Sequence, residues 1–70
     1  MERVAVRSRD IAIVGYDTET STLEVAFRIG GVYEYSGVPE EVYRGLLQAP
    51  SQGVYFDRRV KHRYPYRKVH

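Results

Sequence analysis

The chain has no cysteine, so it holds neither a disulfide framework nor a thiolate metal site, and nothing in it points to secretion. No apolar run approaches the ~20 residues that a membrane-spanning helix needs, and the opening Met1-Glu2-Arg3-Val4 lacks a signal-peptide core. A cytoplasmic protein with no membrane contact is the expectation. Histidine is scarce: His62 and His70 stand eight positions apart in a basic segment without a neighbouring acid, which disfavours a cation. No glycine-rich loop has phosphate-cradle spacing, and Glu40 and Glu41 are adjacent on a helix and point apart, so no carboxylate pair forms. Neither a catalytic residue nor a cofactor follows from these residues. An enzyme is the weakest reading.

Acid is also missing from one end. Residues 1 to 57 carry nine acids against five bases, a net −4, whereas residues 58 to 70 carry six bases and no acid, a net +6. All of the surplus positive charge is C-terminal. At 70 residues the chain is near the lower size for a self-sufficient core, and one domain over residues 1–70 is expected.

What is present is a pattern of strands and turns. Met1 to Asp10 alternates weakly and reads as an edge strand or an arm. Ile11 to Tyr16 is apolar on both faces, with Gly15 a bulge or close-approach point. Asp17-Thr18-Glu19-Thr20-Ser21 is a turn in which Asp17 accepts from backbone amides ahead of it. Thr22 to Ile29 alternates cleanly, with Leu23, Val25 and Phe27 inward. Gly30-Gly31 then reverses the chain into Val32-Tyr33-Glu34-Tyr35. A two-residue loop would set Glu34 opposite Phe27 on the apolar face, a costly place for a carboxylate. A three-residue loop, Ile29 to Gly31 with Gly31 as the bulge residue, pairs Phe27 with Tyr33 and Val25 with Tyr35, and sends Glu34 out beside Ala26. That register is the expected one, and it makes the tyrosines core residues. Residues 11–36 are thus a three-stranded antiparallel meander.

Residues 39–60 read as helical. Pro39 suits a first helical position, Glu40 and Glu41 suit the positive end of the helix dipole, and Val42, Leu46 and Ala49 recur on one stripe until Pro50. Ser51 is a good N-cap for a second helix, Gln52 to about Val60, although Val54-Tyr55-Phe56 also reads as a strand. Residues 61–70 are an extended basic-aromatic tail, since Pro65 biases Tyr64 away from helical angles. The fold class is α+β, a meander packed by one or two short helices.

The residues Val14-Gly15-Tyr16-Asp17, Thr22-Leu23-Glu24-Val25 leading to Phe27, Tyr33-Glu34-Tyr35, Gly37-Val38-Pro39 with Val42-Tyr43 and Leu46-Leu47, Tyr55-Phe56 and Tyr64-Pro65-Tyr66 carry a resemblance. From about residue 10 to residue 69 the chain resembles the KTSC family, a small bacterial module found alone and at the C-terminus of some lysyl-tRNA synthetases. It departs at Asp57, where such a family often shows asparagine, so no hydrogen bond is donated from that side chain. The synthetase context suggests RNA binding, and the resemblance brings no catalytic residue.

Two candidate sites follow. Arg58, Arg59, Lys61, Arg63, Arg67 and Lys68 could neutralise phosphates while Tyr55, Tyr64 and Tyr66 offer ring faces for unpaired bases. The plainer alternative is a solvated helix face and a frayed terminus that aids solubility. Tyr33 and Tyr35, with Arg28 on the neighbouring strand, could instead form an exposed aromatic platform. The register disfavours that platform. RNA is therefore one candidate partner, and a protein partner or a second copy is the other.

Overall fold

A computed structural model describes residues 1–70, all of them. The elements run β1 (Glu2–Ala5), β2 (Ile11–Asp17), β3 (Thr22–Phe27), β4 (Val32–Tyr35), α1 (Glu40–Gln48), α2 (Gln52–Arg59) and β5 (Tyr66–Lys68). The strands form one antiparallel sheet in the order β1-β2-β3-β4-β5. The α+β class holds, but three strands become five.

Both additional strands come from segments with little hydrophobic alternation. β1 pairs along β2 from Glu2 opposite Tyr16 to Ala5 opposite Ile13, so the N-terminal segment is an edge strand. The basic tail is not free. Lys61 to Tyr64 turns back, with His62 at φ 64°, and β5 pairs with β4 through Tyr35–Tyr66, Glu34–Arg67 and Tyr33–Lys68. Backbone bonds extend this ladder at both ends, from Ser36 N–H to the Pro65 carbonyl (2.9 Å) and from Val32 N–H to the His70 carbonyl (3.1 Å). Without β5 the outer edge of β4 would show a row of unpaired donors and acceptors, which is what recruits so polar a strand.

The β3–β4 hairpin differs from the expected register by two residues. Ala26 opposes Val32, Val25 opposes Tyr33, Glu24 opposes Glu34 and Leu23 opposes Tyr35. The connection is longer than three residues because Gly30 (φ 120°) and Gly31 (φ 93°) both occupy the positive-φ region, closed by Phe27 N–H to the Gly31 carbonyl at 3.1 Å. A shift of two leaves each side chain on its expected face. The sheet irregularity falls between Ile11 and Ile13 rather than at Gly15. Gly15 is instead a close approach: a Cβ there would lie 2.9 Å from the Met1 sulfur.

The helices cover one face of the sheet. Pro39 sits just before α1 as its N-cap rather than inside it, with ψ 148°. Ala49 leaves the helix in an extended conformation because Pro50 follows. Ser51 caps α2, its hydroxyl oxygen accepting from Val54 N–H at 3.2 Å, and this settles Val54-Tyr55-Phe56 as helix. The core comprises Val6, Ile11, Val14, Tyr16, Leu23, Val25, Tyr35, Val38, Leu46, Phe56 and Val60. Tyr16 stacks on Tyr43 at 5.1 Å between ring centres and donates its hydroxyl to the Val38 carbonyl, tying β2 to the entry of α1.

Candidate functional site

The two faces of the sheet differ in chemistry. On the face away from the helices, strand pairing aligns Arg3, Gly15, Glu24, Glu34 and Arg67 in one row across all five strands. Two carboxylates directly opposite one another repel. Each is neutralised from the sheet edge: Arg3 donates to both oxygens of Glu24 at 2.6 and 3.2 Å, and Arg67 reaches Glu34 at 3.1 Å. The bonds to Glu24 hold the Arg3 guanidinium above its usual pKa. This row is a closed charge account with no surplus.

The helix-covered face holds a different arrangement toward its β4–β5 end. Alternation puts Phe27, Tyr33, Tyr35 and Tyr66 on that side, and Phe56 of α2 meets them. Phe27 and Tyr35 each contact Phe56 edge-on at 5.4 Å, and Tyr66 lies 5.6 Å from Tyr35 and 5.9 Å from Tyr33. The helices stop short of this edge. A cleft of about 480 Å³ remains, its wall formed by these rings and its rim by Asp10, Asp57, Lys61 and His62.

The rings differ in exposure, which sets what each can do. Tyr35 is buried, and burial together with Tyr66 and Tyr33 pushes its phenol up to about 12, so it is neutral at physiological pH. Tyr66 is 61% exposed and presents an open ring face. Of the seven tyrosines, only Tyr16 donates its hydroxyl within the chain, leaving those of Tyr33, Tyr35 and Tyr66 free for water or a ligand.

Next to the cleft, Asp57, Arg58, Arg59, Lys61, His62 and Arg63 line a shallow groove. Arg63 donates to the Arg58 carbonyl at 2.6 Å, which ties the turn to the end of α2. Arg59 lies over the Tyr55 ring at 5.8 Å. None of Arg58, Arg59, Lys61, Arg63 or Lys68 takes part in a salt bridge.

The candidate residues therefore divide. Lys61, Tyr66, Tyr33 and Tyr35 meet at the cleft, Arg58, Arg59 and Arg63 share the groove beside it, and Lys68 pairs with Tyr33 on the same face. Tyr64 is half-buried against the core, and Tyr55 packs between α1 and α2. Arg67 stands on the opposite face with Glu34. Arg28 binds the carbonyls of Ser8 (2.6 Å) and Val6 (3.0 Å), pinning the segment that leads into β2. Tyr33 and Tyr35 face the helices rather than an open sheet, so they act as a cleft wall and not as a flat platform.

Asp10 and His62 were not singled out as site residues by sequence, and Asp57 only as a departure from a family pattern. They come from separate segments that only the fold brings together. No group of three metal-ligating side chains is close enough to hold an ion, and no helix is long and apolar enough to cross a membrane.

A model of the KTSC domain matches residues 7–64. An uncharacterized protein of Stutzerimonas stutzeri is 44% identical over 61 residues, covering 87% of this chain and 86% of that one. A lysine-tRNA ligase of Trichormus variabilis is 41% identical over 54 residues, which are 77% of this chain but 10% of the ligase. A crystal structure of a KTSC domain protein from Yersinia pestis is similar at a TM-score of 0.96 and 38% identity, covering 99% of this chain and 97% of that one. The likeness thus extends through both edge strands.

Proposed function

The chain belongs to the KTSC domain family, and from that premise we propose that it is a small non-catalytic module that binds single-stranded or tRNA-like RNA. The observation that carries the reading is the juxtaposition of the exposed Tyr66 ring and the half-buried Tyr33 in the cleft with unpaired cations beside it. Unpaired bases stack on tyrosine for about 1–3 kcal/mol each, and arginine and lysine neutralise the backbone between them. The cations that serve are Arg58, Arg59, Lys61, Arg63 and Lys68, while Arg67 is held by Glu34. A similar region in lysine-tRNA ligases supports RNA as the partner, without extending the ligase's own reaction to this chain.

The test is a titration of mixed-sequence RNA oligonucleotides followed by amide chemical shifts. With about four phosphate contacts to a single strand, affinity falls roughly 50-fold between 50 and 200 mM salt. Shifts should concentrate at residues 58–68, and Tyr66→Ala and Lys61→Glu should each weaken binding without unfolding the sheet. Absence of any shift at low salt, or binding indifferent to salt, refutes the proposal. It would leave the protein-interaction reading, in which the same cations meet an acidic partner.

A further inference from the structure

Resting on the RNA-binding reading, we infer that the cleft selects a guanine base, whose donor edge is read by Asp57 while its ring lies against Tyr66. The carboxylates at the rim are the reason. Asp17 is the only aspartate whose carboxylate accepts a hydrogen bond within the chain, and none of the three salt bridges involves an aspartate. Asp57 and Asp10 thus face the cleft with their acceptor capacity unused. An ionised carboxylate only accepts, and it repels phosphate. In an RNA site it takes a donor, either a ribose 2′-hydroxyl or a base edge, and of the two only the base edge distinguishes one nucleotide from another.

The geometry places base and backbone in different parts of the site. Asp10 stands beside Gly53, where a Cβ would lie 3.5 Å from its Oδ2, and Asp57 follows Gly53 by one turn of α2, so the two carboxylates share one side of the cleft. Two carboxylates on that side disfavour a phosphate next to them. The adjoining groove shares Asp57, Lys61 and His62 with the cleft and adds Arg58, Arg59 and Arg63, which do not line the cleft. A nucleotide bound here puts its base against Tyr66 and its phosphate toward Arg58, Arg59 and Arg63.

Among the four bases, guanine complements this rim. Its N1–H and N2–H donors are adjacent and parallel, so one carboxylate takes both, and its O6 accepts from an ammonium. Lys61 follows Asp57 by four residues, lines the same cleft and makes no ion pair. Adenine and cytosine offer Asp57 a single amino group. Uracil offers one N3–H between two carbonyls that the carboxylate repels.

The experiment compares oligouridine with the same oligomer carrying one central guanosine or one central inosine, using intact protein and its Asp57→Asn variant. A bidentate base contact makes the guanosine oligomer bind about ten-fold tighter than oligouridine. Inosine, which lacks the 2-amino group, gives part of that gain. Asp57→Asn lowers affinity for the guanosine oligomer but raises it for oligouridine, because a charge that repels phosphate has gone. Opposite signs are the signature, since an aspartate acting only through its charge would move both affinities upward together. Equal affinity of the unaltered protein for both oligomers overturns the inference while leaving RNA binding in place. If no oligomer binds, RNA binding itself fails, and guanosine monophosphate then decides the cleft: no shift at Tyr66 or Asp57 overturns the guanine assignment as well.

Discussion

Gly45 offers a measurement in which two effects of similar size oppose each other. It lies inside α1, where glycine is less favourable than alanine by about 0.8–1.0 kcal/mol. On propensity alone Gly45→Ala stabilises. The added Cβ, however, would sit 2.2 Å from the Tyr55 hydroxyl oxygen, 2.7 Å from Cζ and 3.0 Å from Cε2. Non-bonded heavy atoms rest at roughly 3.5–4.0 Å, so the ring must withdraw by more than about 1 Å. Arg59 lies over that ring, and the ring fills the space between α1 and α2. Overpacking of this kind costs about 1–3 kcal/mol. The balance is a net destabilisation of about 1 kcal/mol, read by thermal or urea unfolding as a Tm lower by about 4–8 °C. In a Tyr55→Ala background the same substitution meets no ring, and it should stabilise by about 1 kcal/mol, a coupling of about 2 kcal/mol. If Gly45→Ala raises stability equally in both backgrounds, the tight contact does not govern this helix pair.

Alkaline stability provides a second check. Tyr35 titrates at about 12 against an ordinary value near 10, so its contribution is complete below pH ~10 and is lost as pH rises through 12. Burial and Glu2 also raise the Tyr43 phenol, so an ultraviolet titration should show delayed ionisation at both, and Tyr35→Phe should remove the Tyr35 part and flatten the fall in stability above pH ~10. A third check concerns the C-terminal segment: removing residues 61–70 deletes β5, uncovers the edge of β4 and takes Tyr66 from the cleft. Circular dichroism and gel filtration should then report a lower Tm and self-association, whereas a truncated chain with unchanged melting would mean that β5 adds nothing to the sheet.

How much could be read beforehand depended on where hydrophobic period and turn chemistry coincide. Leu23, Val25 and Phe27 alternate cleanly, and their face was legible with that of Tyr33 and Tyr35. The pairing itself was not, because two consecutive glycines permit several loop lengths and nothing local chooses among them. The end of α1 and the start of α2 were legible from Pro50 and the Ser51 cap. β5 was not, since Tyr66, Arg67 and Lys68 are all exposed and show no buried alternation. Its place is set by the unsatisfied backbone of β4, which is a long-range cause. The cleft was invisible for the same reason. Its rings and its carboxylates come from β2's approach, β3, β4, α2 and β5, and no spacing along the chain encodes their meeting.

A single register joins stability to the proposed recognition. On β5 the pleat sends Arg67 to the open face, where it neutralises Glu34, and sends Tyr66 and Lys68 to the face of the cleft. A slip of one residue would exchange them. Arg67 would then point among the rings, Glu34 would face Glu24 with only Arg3 to offset two carboxylates, and the exposed ring would leave the cleft wall. The like-charged pair at the centre of the open face is therefore what penalises the wrong alignment of the strand that carries the cleft's accessible aromatic face. The bonds from Ser36 to Pro65 and from Val32 to His70 hold the same alignment through the backbone. A module this small can thus keep a binding wall on an edge strand, because displacing that strand leaves a charge unpaired on the opposite side of the sheet.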